Sequence, residues 1–577
     1  MSILVCFLAY QLIQQIPIVF DRIALSGFSP LSWMQTKQFP ENYVNGYPSG
    51  VEIFSKSSFS IIYTIAAALG QTPTVTVQWI TAVDYLLLTI SLFLLVHALR
   101  LDSNPIVPFL VILYASSTSL RSINIAGYAQ PFFSGQFYNV VDALRFLTIA
   151  SMLTGRNCTA ILIVAMIFTI HPTQGLTTSI ILLAMRYGAG RPGAREVAAI
   201  FVSLAIAGWW IATQFEANNL LQIAVPADAW FRFTQIFSCH FYPLRNLTGT
   251  TCAVLLICIL FRGMQIFWRN IRYSELDRTV RRGCIAILSM VLLGIAISAV
   301  PISPALIKIS LHRSSDLLIV LALAYSIAVL LHEFDQTTKL KEPLKISLLV
   351  LPLALPYLYG VWFKPSQIDV RTILGLTLLL VVIPLVFVIF LNRQAKSFRM
   401  RALACILVSI ATLVPPVGAL SSAQIRLSRA VQQLAGWAQV NSNPGSVFFI
   451  DPTMGSGFRD LANRAEAGNI REWLYHWAYT NNGLMYQEGI RRASLLGVPV
   501  DEMIKATDSP PYACLDGRSF LGNISWIYDS NEGKLCNLMN ELKADFLVTR
   551  GALNNSQRTL VHVYSNDIFD VYRNSCL

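Results

Sequence analysis

Two carboxylates near the start of the chain have a setting that suits acid–base chemistry. Asp21 directly follows the first hydrophobic run, in Phe20-Asp21-Arg22, and Glu41 stands in a turn-rich aromatic stretch over 39–48. A carboxylate held beside a long loop can act as a general base, and stretches of this composition are typical of binding loops. We therefore predict Asp21 and Glu41 as the candidate catalytic residues. The alternative is that both are ordinary solvated charges.

Three basic residues cluster late in the chain. Lys308 and His312 are four positions apart, as on one face of a helix, and Arg313 begins a hydrophobic run. Basic side chains beside a helix N-terminus favour phosphate. We predict Lys308, His312 and Arg313 as phosphate ligands, with simple interface charges as the alternative.

Further ionisable residues fall within or beside hydrophobic runs. Charges inside a membrane are costly and point to function by default. Asp142 and Arg145 are three positions apart and can pair on a helix, whereas His171 precedes Pro172, which interrupts a run. These residues and Asp84 are predicted to line a cavity; a structural ion pair and a helix cap are the alternatives.

The elements that must position these residues are membrane spans. Hydrophobic residues make up 54% of the 577 residues and charged residues 13%, about half the usual share of charge, and the mean hydropathy is +0.55. The chain is therefore predicted to be a polytopic α-helical membrane protein with about 13 spans, or 11 if two short runs form one hairpin. The runs are 2–20, 78–99, 104–119, 137–155, 158–170, 173–187, 195–214, 250–268, 282–301, 315–332, 344–361, 370–391 and 400–420.

The distribution of Lys and Arg predicts the orientation. With the N-terminus in the cytoplasm, every strongly basic loop, such as 269–282 and 393–401, lies inside. An odd number of spans then places residues 422–577 outside. We predict a transmembrane domain over 1–421, with a long first outer loop at 21–77 and an aromatic, interfacial outer loop at 215–249, and a soluble extracytoplasmic domain over 422–577.

The C-terminal segment is predicted to fold as a small α/β or α+β domain. Strands are expected at 447–450, 545–549, 561–564 and 569–572, between helical stretches. Cys514 and Cys536 lie in one oxidising-side domain and are predicted to form a disulfide. The segment holds 14 basic and 15 acidic residues, so the basic excess sits at the membrane spans, which argues against nucleic-acid binding. There is no clear metal-ligand set; a divalent metal stays an open question.

Together these features resemble the GT-C glycosyltransferases, which include oligosaccharyltransferase catalytic subunits, protein mannosyltransferases and lipid A aminoarabinose transferases. The resemblance rests on a carboxylate after span one, an outer-face Arg313 and a soluble outer tail. The tail segment 457–464, followed by Arg471-Glu472-Trp473, is similar to tails of bacterial GT-C-like proteins.

The resemblance implies an enzyme of glycan biosynthesis in the cell envelope, placed in a bacterial inner (plasma) membrane. Its donor would be a sugar on a polyprenyl phosphate, and its acceptor a glycan, lipid or protein. Arg313, with Lys308 or His312, would hold the phosphate. Asp21 would deprotonate the acceptor hydroxyl, or would orient a metal or the acceptor. Two alternatives remain: a transporter or flippase for a lipid-linked or anionic solute, and a non-catalytic membrane assembly subunit.

Overall fold

The computed structural model describes most of the chain outside one long gap. The described residues are 2–26, 29–47, 54, 57–103, 106–116, 125, 137–187, 191–216, 225–245, 247–300, 302–336, 422–455, 457–480, 482–507, 515, 517–529, 532–554 and 559–576. The predicted runs at 344–361, 370–391 and 400–420 lie outside the described residues, as does Cys514.

The described part up to residue 336 is helical. Short 3-10 turns at Pro40–Tyr43, Cys239–Phe241, Pro243–Arg245 and Leu311–Ser314 join some of the helices. The helices are α1 (Ser2–Ser26), α2 (Ser29–Gln38), α3 (Ser60–Ala68), α4 (Pro73–Ala98), α5 (Ile106–Ser116), α6 (Phe137–Leu153), α7 (Asn157–Ile170), α8 (Pro172–Arg186), α9 (Ala194–Glu216), α10 (Ala227–Phe237), α11 (Leu247–Asn270), α12 (Glu275–Ala299), α13 (Pro304–Ile309) and α14 (Ser315–Gln336).

The described helices agree with a polytopic membrane protein. Within α4, α9, α11 and α12 there are stretches long and apolar enough to cross a membrane, and α7 is a shorter apolar helix. The two short runs around His171 are the separate helices α7 and α8. The total of 13 spans stays a prediction. One boundary is corrected: α1 continues to Ser26, so Asp21 lies within its last turns and not after the helix.

The chain divides into two compact units. The bundle unit consists of Met1–Ile16, Ile80–Trp210 and Tyr242–Ala419. The sheet unit consists of Pro17–Trp79, Ile211–Phe241 and Leu420–Leu577. The sheet unit thus joins the tail to most of the two segments that were predicted as long outer loops.

A buried carboxylate organises one end of the bundle unit. Asp277 is fully buried and accepts hydrogen bonds from Tyr325 Oη at 2.9 Å and from Ser274 Oγ at 2.6 Å. Arg272 pairs with it at 3.0 Å and also donates to the carbonyl of Leu99 at 2.9 Å. Because the last carbonyls of a helix lack intrahelical partners, Arg272 ties the end of α4 to the turn between α11 and α12.

The tail folds around a mixed five-stranded sheet. The strand order is β2-β1-β3-β5-β4, with β1 parallel to β2 and β3, and with β5 antiparallel to β3 and β4. The four predicted strands are confirmed to within a residue or two, whereas β2 has only two residues and was not predicted. The strands are β1 (Val447–Ile450), β2 (Ala465–Glu466), β3 (Phe546–Arg550), β4 (Leu560–Ser565) and β5 (Phe569–Asn574).

Helices cover this sheet and connect its strands. Phe448 stacks on Phe546 with ring centroids 4.6 Å apart, in a core shared with the first tail helix. A π-helical segment, Glu472–His476, and a 3-10 turn, Gly517–Phe520, interrupt the α-helices. The tail helices are α15 (Ser422–Asn441), α16 (Gly457–Ala462), α17 (Trp477–Thr480), α18 (Gly483–Leu495), α19 (Val500–Ala506), α20 (Leu521–Ile524), α21 (Trp526–Asp529) and α22 (Glu532–Glu541).

The predicted disulfide between Cys514 and Cys536 is wrong. Cys536, on α22, is bonded to Cys576, with the Cα atoms 5.5 Å apart. Strand β5 ends beside α22, and this brings the last residues of the chain to Cys536. Pairing is decided by the direction in which β5 leaves the sheet, which the spacing of cysteines does not contain.

Candidate functional site

Asp21 is held by the first helix of the tail. Ser428 Oγ donates a hydrogen bond of 2.6 Å to Asp21 Oδ1, and Gln432 Nε2 donates to the same oxygen at 3.3 Å. Gln432 also donates to Ser428 Oγ at 2.9 Å. Ser428 and Gln432 are one turn apart on α15, so their side chains reach the carboxylate from one helix face. Asp21 is half-buried, and this network orients it.

Glu41 is exposed on a short 3-10 turn, and the residues that follow it dock on the tail. Tyr43 Oη donates to Asn463 Oδ1 at 3.0 Å, and Asn42 Nδ2 donates to the Asn463 carbonyl at 3.1 Å. Tyr47 N donates to the Glu466 carbonyl at 2.8 Å, on strand β2. These hydrogen bonds with the tail fix the position of the loop that contains Glu41.

The tail segment 457–466 makes these contacts through two unusual backbone positions. A Cβ on Gly457 would stand 2.1 Å from the carbonyl oxygen of Ala24, so only glycine lets α16 approach α1. Asn463 has φ of 51°, and asparagine tolerates this left-handed conformation better than most residues. Between them, Asp460 is buried and accepts hydrogen bonds from Ser32 Oγ and, at its carbonyl, from Gln35.

Two charged residues of this segment form a buried cluster with Glu472. Arg459 pairs with Glu472 at 2.6 Å, and its backbone N donates to Glu466 Oε1 at 2.9 Å. All three residues are less than 5% exposed. Burial raises the pKa of Glu466 to about 8, because the surroundings disfavour its charged form more strongly than Arg459 favours it. The cluster stabilises strand β2, in which the Glu466 carbonyl accepts the hydrogen bond from Tyr47 N.

Two aromatic residues of the predicted loop at 215–249 lie in a protein core. Trp230 and Phe233 on α10 are buried within the sheet unit. Trp230 Nε1 donates to the Ala478 carbonyl at 2.8 Å, and Phe233 packs edge-on against Trp477 with centroids 5.5 Å apart. These rings are part of a protein core, so they do not supply a lipid contact; an interfacial place for the loop as a whole stays a prediction.

The bundle unit brings four of the predicted residues together. Arg145 is fully buried on α6, and its Nη1 donates to Asp142 Oδ1 at 3.2 Å. Arg313 interacts electrostatically with both Asp142 and His171, and Arg145 interacts with His171. Nε and Nη2 of Arg145 have no hydrogen-bond partner among the described residues. This arginine therefore has donors left for a further acceptor.

His171 occupies the break between α7 and α8. Its backbone N donates a hydrogen bond of 2.8 Å to the Ile167 carbonyl at the end of α7. Its carbonyl accepts a hydrogen bond of 3.0 Å from Gly175 N in the first turn of α8. Its Nδ1 lies 3.0 Å from Thr173 Oγ1. A Cβ on Gly175 would stand 2.6 Å from Phe168 Cα, so glycine allows the close approach at this break. Pro172 at the first position of α8 needs no amide donor.

The predicted helical pairing of Lys308 with His312 is wrong. Lys308 lies near the end of α13, whereas His312 and Arg313 lie in the next 3-10 turn. Ser310, with φ of 51°, separates the two elements. His312 is 1% exposed, and a Cβ on Gly294 would stand 2.5 Å from its backbone N. Arg313 likewise lies two positions before Ser315, the first residue of α14, and does not begin that helix.

Asp84 was also predicted to line a cavity, and a divalent metal was left open. Asp84 is buried on α4, next to the buried Tyr85. In the described part of the chain, no group of three or more His, Cys, Asp or Glu residues is arranged to hold a metal ion.

Comparison with known proteins shows the fold class. No family model matches the sequence, and no curated protein matches it. The chain is similar to ArnT from Cupriavidus metallidurans bound to undecaprenyl phosphate, with 12% identity over 98% of this chain and 97% of that chain and a TM-score of 0.50. It also matches that ArnT in the apo state, with 12% identity over 99% and 98% of the two chains and a TM-score of 0.46.

A third match is the Archaeoglobus fulgidus oligosaccharyltransferase tethered with an acceptor peptide containing the NVT sequon. Here the identity is 11% over 95% of this chain and 69% of that chain, with a TM-score of 0.39. The fold is of the GT-C type, a fold of polytopic membrane glycosyltransferases, as the resemblance predicted. The candidate site is defined by the contacts of this chain's own residues.

The sequence analysis missed the residues that hold Asp21. Ser428 and Gln432 are four positions apart, which places them on one face of a helix, and this spacing was the available signal. Arg459, Glu466 and Glu472 were also missed as a group. The 14 positions from 459 to 472 hold six charged residues, three basic and three acidic, and this density of opposite charges was the available signal.

Proposed function

We propose that this protein is an integral-membrane glycosyltransferase that moves a sugar from a polyprenyl-phosphate-type donor to an acceptor at the extracytoplasmic face. The observation that carries the proposal is the polar cluster of the bundle unit. Arg145 is fully buried there, and two of its side-chain nitrogens form no hydrogen bond with a described residue. Arg313 interacts electrostatically with Asp142 and His171 of the same cluster. An anionic oxygen would satisfy those donors, and arginine matches phosphate geometry well.

The GT-C-type fold supports a lipid-phosphate ligand. The ArnT structure with a TM-score of 0.50 has undecaprenyl phosphate bound. In this chain, Arg313 and Arg145 would hold the donor phosphate, with Lys308 or His312 as further ligands. When the bond between the anomeric carbon and the phosphate oxygen breaks, negative charge grows on that oxygen, and preorganised cations stabilise it.

Asp21 would serve as the general base. The acceptor hydroxyl attacks the anomeric carbon from the face opposite the phosphate, and its proton passes to the Asp21 carboxylate, so the sugar is transferred with inversion. The hydrogen bonds from Ser428 and Gln432 fix one carboxylate oxygen, as a base that must meet a bound hydroxyl requires. Glu41, on its docked turn, is the second candidate for this role.

The proposal places the tail outside the cytoplasm. The disulfide between Cys536 and Cys576 supports that side, because such bonds persist in oxidising compartments. The distribution of Lys and Arg supports it independently.

Binding and transfer measured separately test the two roles. The protein in lipid nanodiscs is titrated with undecaprenyl phosphate, and transfer is assayed with a panel of polyprenyl-phosphate sugars. We expect Arg145→Gln and Arg313→Gln to weaken binding about 10–100-fold, the equivalent of a lost charged hydrogen bond. Arg278→Gln, at an exposed ion pair with Glu275, is the matched control.

Asp21→Asn separates the base from the phosphate ligands. It should bind undecaprenyl phosphate like the wild type and lose transfer. Wild-type binding by both arginine variants would contradict the phosphate site. Translocation of the donor without formation of a glycosylated product would instead support the transporter alternative.

A further inference from the structure

Helices α8 and α12 pack closely at the end of α8 that lies away from the His171 break. A Cβ on Gly283 of α12 would stand 2.9 Å from Met185 Cγ of α8, so glycine permits this close approach. Arg186 directly follows Met185, and Arg282 directly precedes Gly283. Two arginine side chains therefore leave the backbone at the same helix contact.

Both arginines have a buried nitrogen that finds no hydrogen-bond partner in the described part of the chain. These atoms are Nη1 of Arg186 and Nε of Arg282. Nη2 of Arg186 pairs with Glu196 at 3.0 Å. Nη2 of Arg282 donates to Thr279 Oγ1 at 3.0 Å and lies 3.7 Å from Glu275 Oε1. Because a buried donor without an acceptor is destabilising, an acceptor from outside the chain would bind favourably here.

The surroundings of this helix contact are strongly basic. Segments 186–196 and 269–282 together hold eight arginines against three carboxylates, of which Asp277 is already paired with Arg272. An acceptor with negative charge is therefore favoured over a neutral one. The positive-inside rule accounts for basic residues at the ends of spans, but it does not account for two buried nitrogens at one helix contact.

Each of the two arginines has an exposed apolar neighbour on its own helix. Leu183 is 70% exposed and lies three positions before Arg186, and Ile285 is 52% exposed and lies three positions after Arg282. Residues three positions apart are neighbours on a helix surface. Since α8 ends at Arg186 and α12 begins at Glu275, each apolar residue lies one turn deeper in the membrane than its arginine. An anion that carries acyl chains fits this arrangement better than a free anion does.

We propose that Arg186 and Arg282 bind the phosphate of an anionic lipid headgroup, whose acyl chains lie along Leu183 and Ile285. In the predicted topology these helix ends are on the cytoplasmic side, where basic pockets between membrane helices bind anionic headgroups. Arginine suits this ligand, because its guanidinium can donate two parallel hydrogen bonds to one phosphate.

This lipid site is separate from the donor-phosphate site of the proposed function. The polar cluster that contains His171 adjoins the start of α8, whereas Arg186 is the last residue of that helix. Fourteen residue steps of an α-helix span about 21 Å. The lipid site can therefore be tested without any measurement of sugar transfer.

Fluorescence quenching by labelled lipids tests the site. Leu183→Cys is labelled with bimane in a background that keeps only Cys536 and Cys576, and the full chain is placed in phosphatidylcholine nanodiscs. A small fraction of the lipid carries a nitroxide on an acyl chain and is either phosphatidylglycerol or phosphatidylcholine. Leu292→Cys, at an exposed residue ten positions beyond Arg282 on α12, is the control position.

At position 183 we expect at least about two-fold stronger quenching by labelled phosphatidylglycerol than by labelled phosphatidylcholine, since each nearby arginine favours an anionic lipid. At position 292 the two lipids should quench equally. Substituting both Arg186→Gln and Arg282→Gln should remove the preference at position 183. The charge-matched pair Arg269→Gln and Arg281→Gln, at exposed residues, should keep it.

An equal preference in the two double variants would overturn the proposal, because general surface charge would then explain the quenching. Loss of the preference in millimolar inorganic phosphate, but not in chloride of the same ionic strength, would overturn the lipid assignment in favour of free phosphate. Gel filtration checks that each variant folds. If the double variant at Arg186 and Arg282 does not fold, the two single variants replace it, and an unchanged preference in both would overturn the proposal.

Discussion

Ser428 donates a hydrogen bond to Asp21 across 407 positions of sequence, at 2.6 Å. Asp21 belongs to the last turns of the first helix and Ser428 to the first helix of the tail. Two segments that are far apart in the chain thus build the surroundings of the candidate base, and Gln432 contributes to the same carboxylate oxygen.

Removing the base and removing its support should affect activity to different degrees. Under the proposed function, Asp21→Asn should lower turnover by about 10²–10⁴-fold, the usual effect of losing a general base. Ser428→Ala should lower turnover less and leave donor affinity unchanged, because the carboxylate remains but is less well oriented. Gln433→Ala, at an exposed neighbour on the same helix, is the matched control.

Steady-state transfer assays measure these effects. Wild-type turnover in Asp21→Asn would remove Asp21 as the base and make Glu41→Gln the next variant to measure. A Ser428→Ala variant that unfolds would show up as a loss of the folded fraction in gel filtration, which separates this outcome from slow turnover.

The predicted topology can be measured by labelling from the outer side. A cysteine at Val440, which is 82% exposed at the end of α15, should react with a membrane-impermeant maleimide in intact cells. A cysteine at Glu275, whose side chain is 68% exposed, should react only after the membrane is opened. The reverse pattern would place the tail in the cytoplasm and contradict the proposed face of transfer.

The disulfide should stabilise the tail. Cys576→Ser opens a loop of 40 residues, and the loop-entropy relation gives a loss of about 4 kcal/mol in the free energy of unfolding. Cys514→Ser is the matched control and should leave that free energy unchanged. Denaturant unfolding followed by tail tryptophan fluorescence measures both variants. A larger loss in Cys514→Ser than in Cys576→Ser would contradict the pairing.

The buried Glu466 should make the stability of the tail fall as pH rises. Its pKa is raised to about 8 by burial, above the ordinary value of about 4.3 in an unfolded chain. The native state therefore holds a proton that the unfolded state has lost, and this contribution to stability is lost between about pH 4 and about pH 8. Glu466→Gln mimics the protonated form and should raise the unfolding temperature at pH 8 but hardly at pH 4.

Glu488 is the control for Glu466, because its pKa is shifted in the opposite direction. Hydrogen bonds from Arg491 hold its pKa at about 2, so its contribution is present at neutral pH and is lost as pH falls through that value. Glu488→Gln should therefore lower the unfolding temperature at neutral pH, and the loss should shrink in acid. Thermal unfolding of both variants across the pH range measures this contrast; a pH-independent effect of Glu466→Gln would contradict the buried carboxyl.

The sequence alone determined the class of fold and much of its local structure. Hydrophobic runs and the scarcity of charge predict the membrane helices, since apolar length and periodicity are local properties. The break at His171-Pro172 follows from the chemistry of proline. Strands β1, β3, β4 and β5 follow from short β-rich runs, and the pair Asp142–Arg145 follows from helical spacing, because each depends on neighbouring residues only.

Only the tertiary structure decided which distant residues meet. Ser428 reaches Asp21 because α15 and α16 share one core with Ala24 of α1, which α16 approaches closely at Gly457. Cys536 bonds to Cys576 because β5 ends beside α22. The left-handed Ser310 separates Lys308 from His312 although their spacing suggested one helix face. Contacts of this kind arise when whole elements pack, and the free energy that selects them is summed over many side chains, so no local pattern of residues contains it.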